Sequence, residues 1–541
     1  MATIRNEEYY EGDRGEVLSS AGVGETLGEV LARRLSRRGL VRGGVAAGLV
    51  LTAAGTAPAA AQDGTPVVDA APPAGGLTFA PITLDAGDEL VVAEGHTAVP
   101  FLRWGDAIFP GAPEWDIANQ SAAAQERQFG YNCDWIAFFP LPQGSTTSDH
   151  GLLVVNNEYT NPELMFPGYL TRNPEFDALE NPDNAPPEIP EFLTNPTQEI
   201  VDIELAAHGL SIVEVRRDDA GQWAVVLDSP YNRRITGTTP IDVTGPAAGI
   251  NLMQTSEDPS GTRVLGTLNN CAGGMTPWGT ALTGEENFHQ YFGNLAELPA
   301  DDPIRALHER YGLLEGSSER RWEAFHPRFD LSQEPNEPFR FGWIVEFDPY
   351  DPASTPKKRT AMGRNKHEGA TSVVAPGGQV VFYSGDDQRF DYAYKFVTAS
   401  AYNPDDRAAN ADLLDEGTLS VARFNDDGTG EWLPLVFGEG PLTPAFGFGS
   451  QGDVVAKARL AADLFGVHDR GVLAAGRYAD VNVFDLDALS LPLPEYVHDF
   501  PAGAGRYLQR SSGYRYTLVN GIVFMEDGTP TGRHAGVTLR A

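Results

Sequence analysis

Cysteine is almost absent. The chain of 541 residues holds two, Cys133 and Cys271, so no disulfide framework supports it. The two could pair with each other, which would remove both thiols from other chemistry. Basic residues are scarce as well: Lys and Arg number 39 against 75 Asp and Glu, a formal net charge of −36. So acidic a surface opposes a nucleic-acid partner. It suits a solvated, exported protein, with or without calcium. No apolar run is long enough for a comfortable membrane span. Also missing are a Gly-x-Ser-x-Gly nucleophile elbow and a phosphate-cradling loop ending in Gly-Lys-Ser/Thr, which excludes those two routes to hydrolysis and phosphate binding.

What is present begins with an address. Ser36-Arg37-Arg38-Gly39-Leu40-Val41-Arg42 carries twin arginines, a mildly apolar run follows from Gly43 to Ala57, and Ala59-Ala60-Ala61 precedes Gln62. Basic region, short apolar region and small-residue cleavage site make a signal peptide over residues 1–61. It implies the twin-arginine export machinery as a partner, and a periplasmic or extracellular protein after cleavage near Ala61. A Pro/Ala/Gly linker covers residues 62–82.

Beyond the linker the chain turns β-rich. Leu90–Val92, Leu152–Val155, Ile212–Val215, Trp223–Leu227, Val264–Leu268, Gly342–Phe347, Val380–Tyr383 and Tyr392–Val397 are short apolar runs bounded by turn residues. Such a series predicts an all-β sandwich, barrel or propeller, and periodicity does not choose among them.

The densest chemistry lies in Asn269-Asn270-Cys271-Ala272-Gly273-Gly274-Met275-Thr276-Pro277-Trp278-Gly279-Thr280, with Gly284-Glu285-Glu286-Asn287 close behind. The glycines predict a tight turn that presents the Cys271 thiolate. Thiolate, carboxylates and carbonyls form a mixed soft and hard ligand set, suited to iron or zinc beside a hard cation. The other reading is a buried free cysteine acting as a small hydrophobe. Asn156-Asn157-Glu158-Tyr159-Thr160 offers calcium-type oxygens or ordinary turn chemistry. Gly363-Arg364-Asn365-Lys366-His367-Glu368-Gly369-Ala370 compresses two cations, an imidazole and a carboxylate into one turn. Arg364, Lys366 and His367 could draw in a phosphate or orient Glu368; for Lys366 surface solvation is preferred. Asp386-Asp387, in Tyr383–Arg389, could ligate calcium or cap a turn. Cys133 and Asp134, at a strand start beside aromatics in Phe129–Asp134, are read as structural, and His208 as packing.

These motifs together resemble the PhoX family of secreted alkaline phosphatases. The resemblance implies a β-propeller of six blades over residues 83–466, with an iron–calcium cluster in its central channel. Cys271 then matches an iron ligand and Glu368 a metal ligand, and Glu158 borders the site. Glu286 and Asp386 are further candidate ligands; Asn270, Arg364 and His367 lie on the phosphate side or behind the ligands. The implied reaction is hydrolysis of small phosphomonoesters without a protein nucleophile, a metal-held oxygen taking that role.

The resemblance runs through Phe448–Val454 and Lys457–Gly466 and then stops. The family's Met-Asp-Arg-Pro-Glu-Asp segment and its later Asp, which bind phosphate and calcium, are not found. Residues 467–541 instead resemble the C-terminal end of a D-aminoacylase-type amidohydrolase, through Gly471–Asp485, Asp499–Gly503, Thr517–Phe524 and Asp527–Arg533. That family's metal-binding barrel has no counterpart here, so amidohydrolase activity is not expected and His498 and His534 are read as structural. The join predicts a propeller incomplete around its axis, with exposed edge strands, and phosphatase activity impaired by the lost ligands. The alternative is a non-catalytic, calcium-binding extracellular scaffold.

Overall fold

A computed structural model describes residue 82 and residues 90–172, 192–388, 391–424, 430–465, 481–492, 495–497, 506–519 and 521–533. The leader, nearly all of the linker, the junction at 466–480, and His498 and His534 lie outside the described residues. Two units are distinguished: residues 101–480 with 534–541, and residues 1–100 with 481–533.

In the larger unit, β1 (Cys133–Pro140), β2 (His150–Asn157), β5 (Gly209–Arg217) and β6 (Trp223–Val225) form one antiparallel sheet, with β7 (Arg233–Ile235) also paired to β5. Its middle strands are covered on both faces. Leu152, Val154, Leu210 and Ile212 enter one core with Phe139, while Val155, Val213 and Val215 enter another with Ile108 and Phe129. Burial on both faces is why these strands read as apolar runs rather than alternating ones. A short ribbon of β3 (Leu170–Arg172) and β4 (Phe192–Thr194) stands apart.

A second sheet has the order β10 (Asn270–Met275), β11 (Ala281–Glu285), β12 (Ile344–Phe347), β13 (Lys357–Arg359), β8 (Pro240–Thr244), β9 (Arg263–Leu265). All its pairs are antiparallel except β13 with β8. The third is a meander of β14 (Thr371–Val374), β15 (Gln379–Gly385), β16 (Ala393–Ala401), β17 (Gly417–Phe424) and β18 (Gly430–Pro434). In β15 and β16 alternation holds: Val380, Phe382, Tyr394 and Phe396 are buried, whereas Tyr383 is exposed; in β17 the four residues from Leu419 to Ala422 are all buried.

Among the described residues this unit has three large sheets rather than six regular blades. Leu90–Val92, expected as a strand, has no regular structure. Helices went unpredicted because they are short. They include α1 (Gln198–Ala207), α2 (Pro303–Arg310), α3 (Gln451–Ala456) and α4 (Ala458–Asp463). The Thr197 hydroxyl caps α1 by accepting from Ile200 N at 3.2 Å, and Val201 and Leu205 enter the main core. No helix among the described residues is long and apolar enough to cross a membrane.

In the smaller unit β19 (Val481–Phe484), β22 (Tyr514–Val519), β23 (Ile522–Glu526) and β24 (Thr529–Pro530) form one sheet. A ribbon of β20 (Glu495–Val497) and β21 (Arg506–Leu508) accompanies it. Leu486, Leu491 and Tyr496 are exposed.

Candidate metal centre

The segment expected as a tight turn is a bulged strand. β10 pairs Asn270 with Glu285 and Gly273 with Thr283, so Cys271 and Ala272 together oppose Gly284. Such a bulge re-aims a side chain that a regular strand would point elsewhere. Asn269 enters it at φ +52°, and its backbone and side-chain oxygens accept from Glu286 N (2.9 Å) and Asn287 N (2.7 Å). The hairpin's open end thus places Glu286 beside the bulge. The glycines serve close approach rather than a turn. A Cβ on Gly274 would lie 2.0 Å from Ala370 O, and one on Gly284 2.4 Å from His367 O. Bare backbone at both lets residues 363–370 run against this hairpin as a strap.

Around Cys271 the donors converge. Ligand atoms of Asp134, Glu158 and Cys271 lie within 4.8 Å of one another. Asp134 stands at the start of β1 and Glu158 just past the end of β2, while Asn156 Nδ2 donates to Cys271 O at 2.5 Å and ties β2 to β10. The Cys271 thiol faces Asp134 Oδ2 at 3.5 Å. Burial pushes this thiol far above its ordinary range, and the charges of Glu158, Glu286, Asp134 and Glu368 push the same way. Glu286 is also raised, first by burial, then by its hydrogen bond with Asp387 and the charges of Glu158, Asp387 and Glu368. Glu368 is exposed, so the cluster reaches solvent at the strap.

Carboxylates and a thiol gathered this closely in a partly buried place repel one another unless they bind protons or a cation. The donor set fits the expected metals: a thiolate suits iron, and the surrounding carboxylates suit iron or calcium.

Of the sequence candidates, Cys271, Glu158, Glu286 and Glu368 are brought together. Asp386 is placed differently: both its oxygens face the Arg459 guanidinium, at 2.7 and 2.5 Å. Arg364 is fully buried and donates to Phe341 O and Pro338 O, both at 2.8 Å. Its guanidinium lies over Tyr311 and Phe288, and burial lowers its pKa to about 10. It is a core brace, not an anion receptor.

His367 is likewise buried, with Nδ1 at 2.8 Å from Ser384 Oγ and Nε2 at 2.9 Å from Gly363 O. Burial lowers its pKa to about 4, so at neutral pH it is an uncharged brace of the strap. The Asn270 amide donates to Thr267 Oγ1 (2.7 Å) and Thr283 Oγ1 (3.1 Å), which fixes the entry to the bulge. Lys366, expected in solvent, is 3% exposed, its ammonium 2.6 Å from Gln388 Oε1 and 3.4 Å from His289 Nε2. His208 packs on Tyr291 and Trp322, as expected of a core histidine.

Two members of the cluster were missed. Asp134, structural in the reading of the sequence, turns its carboxylate to Cys271. Asp387 rather than Asp386 meets Glu286. Strand periodicity held that second signal: Phe382, Ser384 and Asp386 share one face of β15 and its extension, and Asp387 takes the other.

Comparison with known proteins follows the same line. A family model described as alkaline phosphatase PhoX matches residues 77–473. Among solved structures, Pseudomonas fluorescens PhoX in complex with vanadate, a transition state analogue, matches with 36% sequence identity and a TM-score of 0.61. That match covers 79% of this chain and 70% of the Pseudomonas chain, and supports a propeller-like fold for the larger unit. No curated protein matches.

Proposed function

The chain belongs to the PhoX alkaline phosphatase family, and from that premise we propose that it is an exported phosphatase that hydrolyses small phosphomonoesters at the Cys271 cluster. The observation that carries the reading is the convergence of Cys271 with Asp134, Glu158, Glu286, Glu368 and Asp387. In this reading Cys271, Asp134 and Glu158 hold iron, and Glu286, Glu368 and Asp387 offer oxygens to calcium. Bound there, the metals supply the positive charge that stabilises a phosphoryl group in its transition state.

The protein's own groups prepare the place. Burial of Cys271 and Glu286 keeps bulk water from the inner donors and strengthens every electrostatic interaction among them. The exposed Glu368 edge is the way in for substrate. Lys366, two residues before Glu368 on the strap, is buried and held by Gln388, and its positive charge would favour a phosphate nearby. Export after cleavage near Ala61, and a tail of amidohydrolase-like origin, belong to the same reading.

The test is hydrolysis of a chromogenic phosphomonoester by the protein supplied with iron and calcium, beside Cys271→Ala. Calcium-dependent turnover at least about 100-fold above the variant is expected, with iron content falling in the variant. Equal turnover in the two proteins would sink the reading.

A further inference from the structure

Glu368, Lys366 and Asp387 stand outside the named strands, on the strap 363–370 and on residues 386–388 where β15 ends and turns away, with one isolated antiparallel bridge between His367 and Asp386, and so something more than a strand ladder must fix them. Part of the answer is mutual: Asp387 N donates to Lys366 O (3.0 Å), Lys366 N to Asp386 Oδ1 (3.3 Å), and His367 N to Glu285 O (3.1 Å). The rest comes from the last described helices of the larger unit. Arg364 N donates to Val455 O of α3 at 3.0 Å. From α4, Arg459 grips Asp386 with two prongs, Nε at 2.7 Å and Nη2 at 2.5 Å, and both side chains are 0% exposed.

Arg459 is itself immobilised. Its third donor, Nη1, reaches Arg310 O at 3.2 Å, and its guanidinium lies 4.5 Å from the Tyr311 ring centroid. Arg310 forks onto Asp391 and Asp463, and so closes the network between α2, α4 and the start of β16. A planar guanidinium fixes the orientation of a carboxylate in a way that an ammonium does not. Asp386 is joined by one peptide bond to Asp387, whose carboxyl meets Glu286, and Gln388 follows with its bond to Lys366.

We infer that Arg459 is a positioning residue for the metal centre: through Asp386 it sets where Asp387 and Lys366 stand, without touching the cluster itself. This rests on reading the Cys271 cluster as a metal site. Asp386, on this account, is the anchor of the turn and Asp387 its working carboxylate.

The test uses the full chain and two variants. Asp386→Leu with Arg459→Met replaces the buried ion pair by apolar groups, an exchange that buried pairs often tolerate without unfolding. Arg459→Lys keeps the charge and loses the fork. In metal-free protein, amide hydrogen exchange at residues 366 and 386–388 is expected to quicken at least about ten-fold in the double variant, with β10 and β11 unchanged. Terbium, as a calcium-like probe, is expected to bind about ten-fold more weakly, the loss usual when a ligand's support is removed. Arg459→Lys should fall between the double variant and wild type in both.

A role confined to stability would lower the unfolding midpoint while leaving local exchange and terbium affinity at wild-type values. That result, or faster exchange spread evenly over the chain, would overturn the inference. If the wild-type protein takes up no terbium, the metal reading itself fails, and the exchange arm still decides whether Arg459 holds the turn.

Discussion

Glu285 and Glu286 are neighbours in the chain with opposite surroundings. Glu285, at the end of β11, lies fully buried 2.7 Å from Lys358 Nζ and also accepts from Gly342 N and Trp343 N. Glu286, one residue on, faces Asp387 and the charges of Glu158 and Glu368. The same contrast divides the interior. Arg359 pairs with Glu346 and Arg459 with Asp386, whereas the Cys271 cluster gathers carboxylates against carboxylates. Concentrating them near Cys271 sets this place apart from the rest of the interior, and it is the contrast on which the proposed metal site rests.

The contrast predicts opposite responses to mutation. Lys358→Met leaves Glu285 buried without its ammonium and is expected to cost about 3–5 kcal/mol, measured by urea unfolding. Adding Glu285→Gln should restore most of that loss, since the pair and not either charge is what the site requires. The same pair gives a pH signature. Burial lowers Lys358 to about 8 from an unfolded value of 10.5, despite Glu285 beside it. Between those values the unfolded chain holds a proton that the folded one has released. Stability from this group therefore rises with pH from about 8 to 10.5 and is flat on either side. Thermal unfolding across that range should show the rise in wild type and its absence in Lys358→Met.

Glu286→Gln should act the other way. With its surroundings all raising its pKa, removing this charge is expected to stabilise metal-free protein by about 1 kcal/mol. In saturating calcium the sign should reverse, because the variant loses the stabilisation that cation binding confers on the folded state. A variant less stable than wild type in both conditions would show that Glu286 is a structural carboxylate like its neighbour.

How much of this was legible follows from the distances involved. Local pattern was enough for β2, β5, β12, β15 and β16, whose apolar residues are concentrated in one short stretch of sequence each. Cys271 with Glu286, and Glu368 within its strap, were visible as dense local motifs. What one sequence could not show was pairing at long range. Arg459 and Asp386 are 73 residues apart, and nothing local tells Asp386 from Asp387 except strand phase. Lys366 looked like a surface lysine because its neighbours are polar, and those neighbours, Asn365 and His367, are themselves buried. The Gly-Gly pair suggested a turn for the right residue type and the wrong reason: the chain there is extended, and the space is needed at Gly273 for Leu282 O and the Trp135 ring and at Gly274 for Ala370 O of the strap.

The smallest expected effect lies in the smaller unit and bounds the comparison from its other side. Arg515 on β22 reaches Asp527 at 3.3 Å and Asp485 at 3.6 Å, but its side chain is 57% exposed. Exposed pairs of this kind are screened by water and salt and contribute little. Arg515→Ala is therefore expected to change the stability of the β19–β24 sheet by less than about 0.5 kcal/mol. Amide exchange on β22 and β23 would measure this, and raising the salt should erase what difference there is. Strong acceleration confined to that sheet would mean that surface charge, rather than strand pairing, holds the smaller unit together. No change would leave buried charge as a property of the larger unit alone among the described residues, in the same unit as the Cys271 cluster.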